Sequence, residues 1–199
     1  MGIENVKEGK LLYHLTTLSN LDSIIKKGLM TRKQLITQDQ PFIDVADFDI
    51  ITKRASNDLQ EYIPFHFHPY SAFDVAVKNQ YNNEEFIYIT IQREWAKSQK
   101  FKILPIHPLT QTDSFQLYDY DEGFKQIDWE TMHSIGNDTN YKKQVKMAEC
   151  VTREVIQTKN FHCIYVKNQT TRQLVKKKLK ENNVISLPPF VDIGLWFDT

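Results

Sequence analysis

Glu149 is a carboxylate set among residues that prefer the interior. Met147 and Ala148 precede it, and Cys150 and Val151 follow. An unpaired buried carboxylate is costly, so this residue needs a cation, a hydrogen-bond network or a catalytic task. Lys142, Lys143, Lys146 and Arg153 are close in sequence. They could neutralise Glu149 or form a wall that attracts polyanions. His66 and His68 alternate in a stretch with strand character and so share one face. With a third ligand they could hold zinc, but none stands at suitable spacing, and a polar strand face over Phe65 and Phe67 is the simpler account. His14 ends the first apolar run and, taken alone, reads as a surface or capping histidine. Lys176, Lys177, Lys178 and Lys180 read most simply as the solvated face of the last helix.

Several chemistries are excluded at this level. None of the 6 glycines forms G-x-G-x-x-G or G-x-x-x-x-G-K-[ST], which argues against dinucleotide and Walker phosphate loops. No G-x-S-x-G nucleophile elbow occurs. The 199 residues, 41% hydrophobic and 25% charged, fit one domain spanning 1–199 with a real core. Lys+Arg and Asp+Glu are equal at 25 each, so only a local patch could favour nucleic acid. The two cysteines, Cys150 and Cys163, lack metal spacing and are too few for a disulfide scaffold, which points to a reduced, cytoplasmic setting. Residues 1–10 have no apolar signal region, and no apolar run nears the roughly 20 residues of a membrane helix.

The elements that must position these groups read as follows. A strand is expected over 11–15, then a helix carrying Leu18, Leu21, Ile24 and Ile25, capped by Ser19 or Asn20 and stopped at Gly28. A short helical piece over 31–36 leads into a long loop. Residues 63–67 read as a strand, with Pro64 marking an edge or strand start. Ser71 caps a helix over 72–80, and Asn82-Asn83 turns. Strands follow over 86–91 and 101–106, a polar turn-rich segment over 110–140 anchored by Asp128-Trp129, and a helix over 142–147. Strands over 150–156 and 162–166, a helix over 171–182 capped by Asn168, and closing strands over 185–187 and 195–197 complete the chain. Many short strands without regular alternation of helices indicate α+β.

In this order the residues resemble the DarT family, the DNA ADP-ribosyltransferase toxins. The fragments are His14-Leu-Thr16, Asn20-Leu-Asp-Ser-Ile24, Lys27-Gly28-Leu29, Arg54, Tyr62-Ile-Pro-Phe-His-Phe67-x-Pro69 and Met147-Ala-Glu149-Cys-Val151. The match runs through most of the chain, from about residue 11 to 185. The resemblance implies a compact ADP-ribosyltransferase fold, two small mixed sheets around an NAD cleft with flanking helices. It also implies NAD as co-substrate, no metal, and single-stranded DNA as acceptor. His14 and Thr16 fall on the family's NAD-holding His-x-Thr, and Asn20 and Leu21 on the Asn-Leu pair near the cofactor. Arg54 matches an arginine that engages NAD and aids catalysis, and Glu149 the catalytic glutamate. His107 resembles a catalytic-region histidine ahead of an aromatic segment, here Phe115. Lys143, Lys146 and Arg153 become candidate DNA contacts. A macrodomain antitoxin is the implied partner, with the enzyme a monomer and no membrane association. Two departures stand out: Pro69-Tyr70-Ser71-Ala72-Phe73 replaces the family's Pro-x-Ser-Pro-Met, and the run before Glu149 is Lys-rich.

The chemistry is consistent with that resemblance. Cleaving the nicotinamide bond of NAD builds positive charge on the ribose, which a carboxylate stabilises. Arg54 can pair with phosphate, and His14 can bond a ribose hydroxyl. Glu149 or His107 could act as the base for the acceptor. Tyr70, Phe73 or Phe115 could stack nicotinamide or a base. The alternatives are an RNA or protein acceptor on the same fold and a non-catalytic nucleic-acid-binding module; a zinc enzyme ranks last.

Overall fold

A computed structural model describes residues 5–44, 54, 58–69, 71–81, 83–108, 115–136 and 138–194. Eight strands form its frame: β1 (Leu11–Thr17), β2 (Ile63–His66), β3 (Phe86–Gln92), β4 (Lys102–Leu104), β5 (Tyr118–Asp119), β6 (Glu149–Thr152), β7 (Cys163–Val166) and β8 (Phe190–Ile193). They lie in the order β5-β4-β6-β2-β1-β3-β7-β8. Every pairing is antiparallel except β7 with β8. The mixed α and β fold agrees with expectation, but the two expected sheets are joined into one. Their junction is narrow. β1 pairs with β3 along its whole length but shares a single ladder pair with β2, Tyr13 with His66. Two half-sheets therefore meet at a seam, and the seam is where the site lies.

Pro64 shows why the seam is thin. It sits in an interior strand, not at the edge that its missing N–H suggested. The carbonyl of Pro64 accepts from the His14 side chain of β1. In a strand, N–H and C=O of one residue point the same way. The missing N–H thus also faces β1, where almost no ladder bond is lost.

β3 reads Phe-Ile-Tyr-Ile-Thr-Ile-Gln and is buried over its first six residues. Such a continuous apolar run marks a strand covered on both faces. One core cluster gathers Leu12, Phe65, Phe67, Ile89, Ile91 and Cys150; another gathers Leu21, Ile25, Ile87, Ile164, Val175 and Leu179. Along β6 the side chains alternate, so Cys150 enters the first cluster and Glu149 faces the other way.

Helix α1 (Leu21–Lys27) stops at Gly28, whose φ is 89°. A Cβ there would lie 2.7 Å from Val155, because Leu29 and Ile156 exchange backbone bonds of 2.8 and 3.0 Å beside it. α2 (Arg32–Thr37) and α3 (Ala72–Gln80) each start with a capping box, Thr31 with Gln34 and Ser71 with Asp74. α4 (Arg93–Ser98), α5 (Tyr120–Gln126) and α6 (Trp129–His133) were not expected. Each is at most seven residues, too short to display a helical period. Packing holds the latter two: Trp129 and Phe124 set their rings 5.5 and 6.2 Å from Phe67, and Asp128 caps α6. α7 (Asn140–Lys146) and α8 (Gln169–Glu181, capped by Asn168) match expectation.

The expected strand over 185–187 is absent. Leu187 runs into Pro188 and Pro189, which have no N–H for a ladder, and strand β8 begins only at Phe190. The expected strand over 195–197, Asn82 of the expected turn, and Tyr70 lie outside the described residues.

Arg93, at the start of α4, ties the N-terminal turn, β1 and the end of β2 together. Its guanidinium is buried and donates to four backbone carbonyls, those of Val6, Lys7, Leu11 and Phe67, at 2.9–3.1 Å. Arg93→Met leaves these carbonyls without their charged donor. We expect a loss of about 3 kcal/mol in urea unfolding; a change below about 0.5 kcal/mol, the scale of an ordinary surface substitution, would contradict this role.

Candidate functional site

Three elements bring the site together: the end of β1, the seam strand β2 and the start of β6. They wall a cavity of about 170 Å³ lined by His14, Thr16, Asn20, Arg54, Tyr62, His66, Phe73, His107 and Glu149, among others. Residues far apart in sequence thus share one space.

Glu149 is 3% exposed and lies at the head of β6. Its Oε1 accepts from Arg54 Nη1 at 2.6 Å, and His107 Nε2 lies 3.4 Å from the same oxygen. Oε2 is buried and has no hydrogen-bond partner among the described residues. Burial is the largest influence and opposes ionisation of this carboxyl, but the Arg54 guanidinium together with the neighbouring His107 and His66 outweighs it and holds the group below the ordinary carboxylate range. Arg54 is fixed in turn by donating from Nη2 to the Leu59 carbonyl at 3.1 Å. One carboxylate oxygen is therefore anchored while the other is buried, charged and unsatisfied. A hydroxyl group or a developing positive charge would satisfy it.

His14 and His107 are neutral groups here. Burial pushes His14 and His107 down to about 4. His14 Nδ1 lies 2.8 Å from the Pro64 carbonyl. A carbonyl only accepts, so Nδ1 carries the proton and Nε2 keeps a lone pair for a hydroxyl donor. His66 is also buried, with Nδ1 3.3 Å from the Ala148 carbonyl. No cluster of three His, Cys, Asp or Glu side chains suited to a metal occurs among the described residues.

The other anticipated residues divide. Thr16 lines the cavity, and its Oγ1 accepts from Asn20 Nδ2 at 3.1 Å. Asn20 stands at the N-cap of α1 without capping it. Its amide instead donates to the Ile43 carbonyl at 2.9 Å and accepts from the Ile43 N–H at 2.8 Å. Asn20 thereby straps the 42–44 segment over the cavity, aided by a 2.6 Å pair between Arg32 and Asp44. Leu21 packs fully buried in the second core cluster and is not among the cavity residues. Lys146 directs its ammonium to the carbonyls of Ser134 and Gly136. Arg153 pairs with Glu61 at 3.0 Å and stacks 4.7 Å from the Tyr62 ring. Neither cation neutralises Glu149; Lys143 is exposed on α7.

Sequence reasoning weighed His66 as a zinc ligand or a polar strand face and quoted it with Tyr62 in the family-like fragment, but gave neither a role in the site and passed over Phe42 and Ile43. The signal for His66 was its alternation with Phe65, which fixes its face. The register that pairs His66 with Glu149 across β2 and β6 could not be read from local sequence.

The geometry can now be set beside known proteins. No curated protein sequence matches the chain. Among solved structures, Thermus sp. 2.9 DarT in complex with ADP-ribosylated ssDNA is similar, with a TM-score of 0.77 and 21% identity over 94% of this chain and 95% of that one. The same Thermus protein in complex with NAD+ gives 0.73 and 19% over 94% and 96%. Thermosipho africanus DarTG in complex with ADP-ribose gives 0.67 and 19%, covering 93% of this chain and 50% of that one. At these identities the likeness establishes the fold. The family model described as "ssDNA thymidine ADP-ribosyltransferase, DarT" matches residues 13–197, and the chain belongs to the DarT family.

Proposed function

We propose that this protein transfers ADP-ribose from NAD to thymidine in single-stranded DNA, as the toxin of a toxin–antitoxin pair. The observation that carries the reading is the buried Glu149–Arg54 pair facing the cavity with one free carboxylate oxygen. Glu149 Oε2 bonds a hydroxyl of the nicotinamide ribose and stabilises the charge that grows there as nicotinamide leaves. Arg54 holds the carboxylate in place and presents its remaining donors to the pyrophosphate. His107 fixes Glu149 Oε1 from the other side. His14 accepts from a ribose hydroxyl through Nε2, with Thr16 beside it. Asn20 acts through the 42–44 strap, and Leu21 seats the helix that carries it. NAD is the co-substrate, and no step calls for a metal.

Lys143, Lys146 and Arg153 lie on the segments flanking Glu149 and are the candidate contacts to the DNA backbone. A DNA-modifying toxin needs restraint, and a macrodomain antitoxin that removes ADP-ribose would supply it. The Thermosipho protein named DarTG, twice the length of the matching region, supports such a pairing. The protein acts as a monomer in the cytoplasm, where NAD and DNA are both present. Among the described residues no helix is long and apolar enough to cross a membrane.

Incubation with NAD and oligonucleotides, followed by mass spectrometry, tests the reading. An ADP-ribose adduct is expected on thymine-containing single strands and not on strands without thymine. No adduct in any sequence context, with Glu149→Gln behaving as the native protein does, would refute it. In the same assay E149Q is expected to slow transfer by about 10²–10³-fold while NAD still binds, the size of loss seen when one charge-stabilising group is removed. A loss below about tenfold would remove Glu149 from the reaction.

The buried histidines predict a pH dependence of stability. In the unfolded chain these rings take a proton below about 6.5, whereas folded His14 and His107 resist until about 4. The unfolded state therefore binds more protons in that window, and stability falls as pH drops through it. Glu149 acts lower: its depressed carboxyl contributes stability above 4.5 that is lost as pH falls through the folded value. Thermal unfolding should show Tm declining from about pH 6.5 to about 4, with a shallower decline in H107Q. An unchanged slope in that variant would contradict the assignment.

A further inference from the structure

Thymine limits the chemistry of transfer. Its N1 carries the deoxyribose, so N3 is the ring nitrogen left to attack the anomeric carbon of the NAD ribose. N3 carries a proton that must go somewhere. Arg54 cannot take it, because a guanidinium does not deprotonate in proteins. Glu149 is a poor candidate: Oε1 is bound to Arg54 at 2.6 Å, and its charge is required at the ribose. His107 directs Nε2 at Glu149 Oε1, 3.4 Å away. His14 lies on β1, across the seam from Glu149, where the proposed reading has it hold the ribose.

His107 keeps a buried Nδ1 without a hydrogen-bond partner among the described residues, but burial holds that ring neutral down to about 4; the surroundings of His66 suit the task better. The ring is buried, lines the cavity, and has Glu149 as its partner in the β2–β6 ladder. Side chains at partnered positions of neighbouring strands stand on the same face. Nδ1 is 3.3 Å from the Ala148 carbonyl, so the proton sits on Nδ1 and Nε2 carries the lone pair. Protonation at Nε2 makes an imidazolium that keeps the bond to Ala148 and gains the field of the Glu149 carboxylate. Phe73 sets its ring 6.1 Å from the His66 ring, tilted by 36°, and also lines the cavity. A flat base laid against Phe73 would present its edge to His66.

We propose that His66 is the general base of the transfer, taking the N3 proton of the acceptor thymine on Nε2. This rests on the transfer reaction proposed above. As the N3–H proton passes to Nε2, the N3 electron pair forms the bond to the anomeric carbon. The carbon–nitrogen bond to nicotinamide breaks, and nicotinamide leaves neutral with that bond's electron pair. The imidazolium then returns its proton to water.

The experiment compares H66Q and H66N with the native protein in single-turnover transfer to two oligonucleotides, one bearing thymine and one bearing 5-fluorouracil. Fluorine makes N3–H more acidic and lessens the need for a base. With thymine the variants should be slower by about 10²–10⁴-fold, and with 5-fluorouracil the deficit should shrink by about tenfold or more. NAD affinity, read by calorimetry, should stay unchanged in at least one variant. Equal deficits on both acceptors, or no deficit, would overturn the proposal. Loss of NAD affinity in both variants would also overturn it, because His66 would then hold the cofactor. A native protein that modifies neither base would instead bring down the transfer reading itself.

Discussion

The bond between Arg54 and Glu149 is the constraint on which the site depends. It joins residues 95 positions apart and is 2.6 Å long. A carboxylate as buried as Glu149 would ordinarily take up a proton and lose its charge. The guanidinium, with the neighbouring His107 and His66, opposes this while engaging one oxygen, which leaves the second oxygen charged and without a partner among the described residues. A structural ion pair would satisfy both oxygens. Leaving one unsatisfied in a cavity favours a site in which substrate completes the network.

The sheet makes that arrangement possible. Because β1 and β2 share one ladder pair, the two half-sheets part at the middle of the fold. His14 comes to the gap from one half, and Pro64, His66 and Glu149 from the other. Pro64 helps keep the gap open and uses its carbonyl to fix the His14 tautomer. The strap held by Asn20 at Ile43 adds a wall across the seam. Fold and site are thus linked through backbone geometry: a continuous β1–β2 ladder would close the space that the chemistry needs.

Much of this was legible in the sequence, and the exceptions have physical causes. Glu149 stood out because its neighbours are apolar and it is not. The caps at Ser71 and Asn168 and the stop at Gly28 were legible because capping and left-handed backbone demand particular residue types. Short helices such as α5 and α6 were hidden, since tertiary contacts with Phe67 hold them more than their own pattern does. Lysines near Glu149 in sequence proved misleading neighbours: Lys146 bonds backbone carbonyls, while the true partner, Arg54, comes from a distant segment. Asn20 read as a cap because of its position, yet its amide serves another loop. Pairing across a sheet, which sets His66 beside Glu149, is non-local and leaves no trace in spacing.

A co-crystal structure with a non-hydrolysable NAD analogue tests the central claim most directly. The account predicts Glu149 Oε2 about 3 Å from a hydroxyl of the nicotinamide ribose, with the Arg54 bond to Oε1 intact. An analogue bound outside this cavity, or one that leaves Oε2 without a ribose contact, would contradict it.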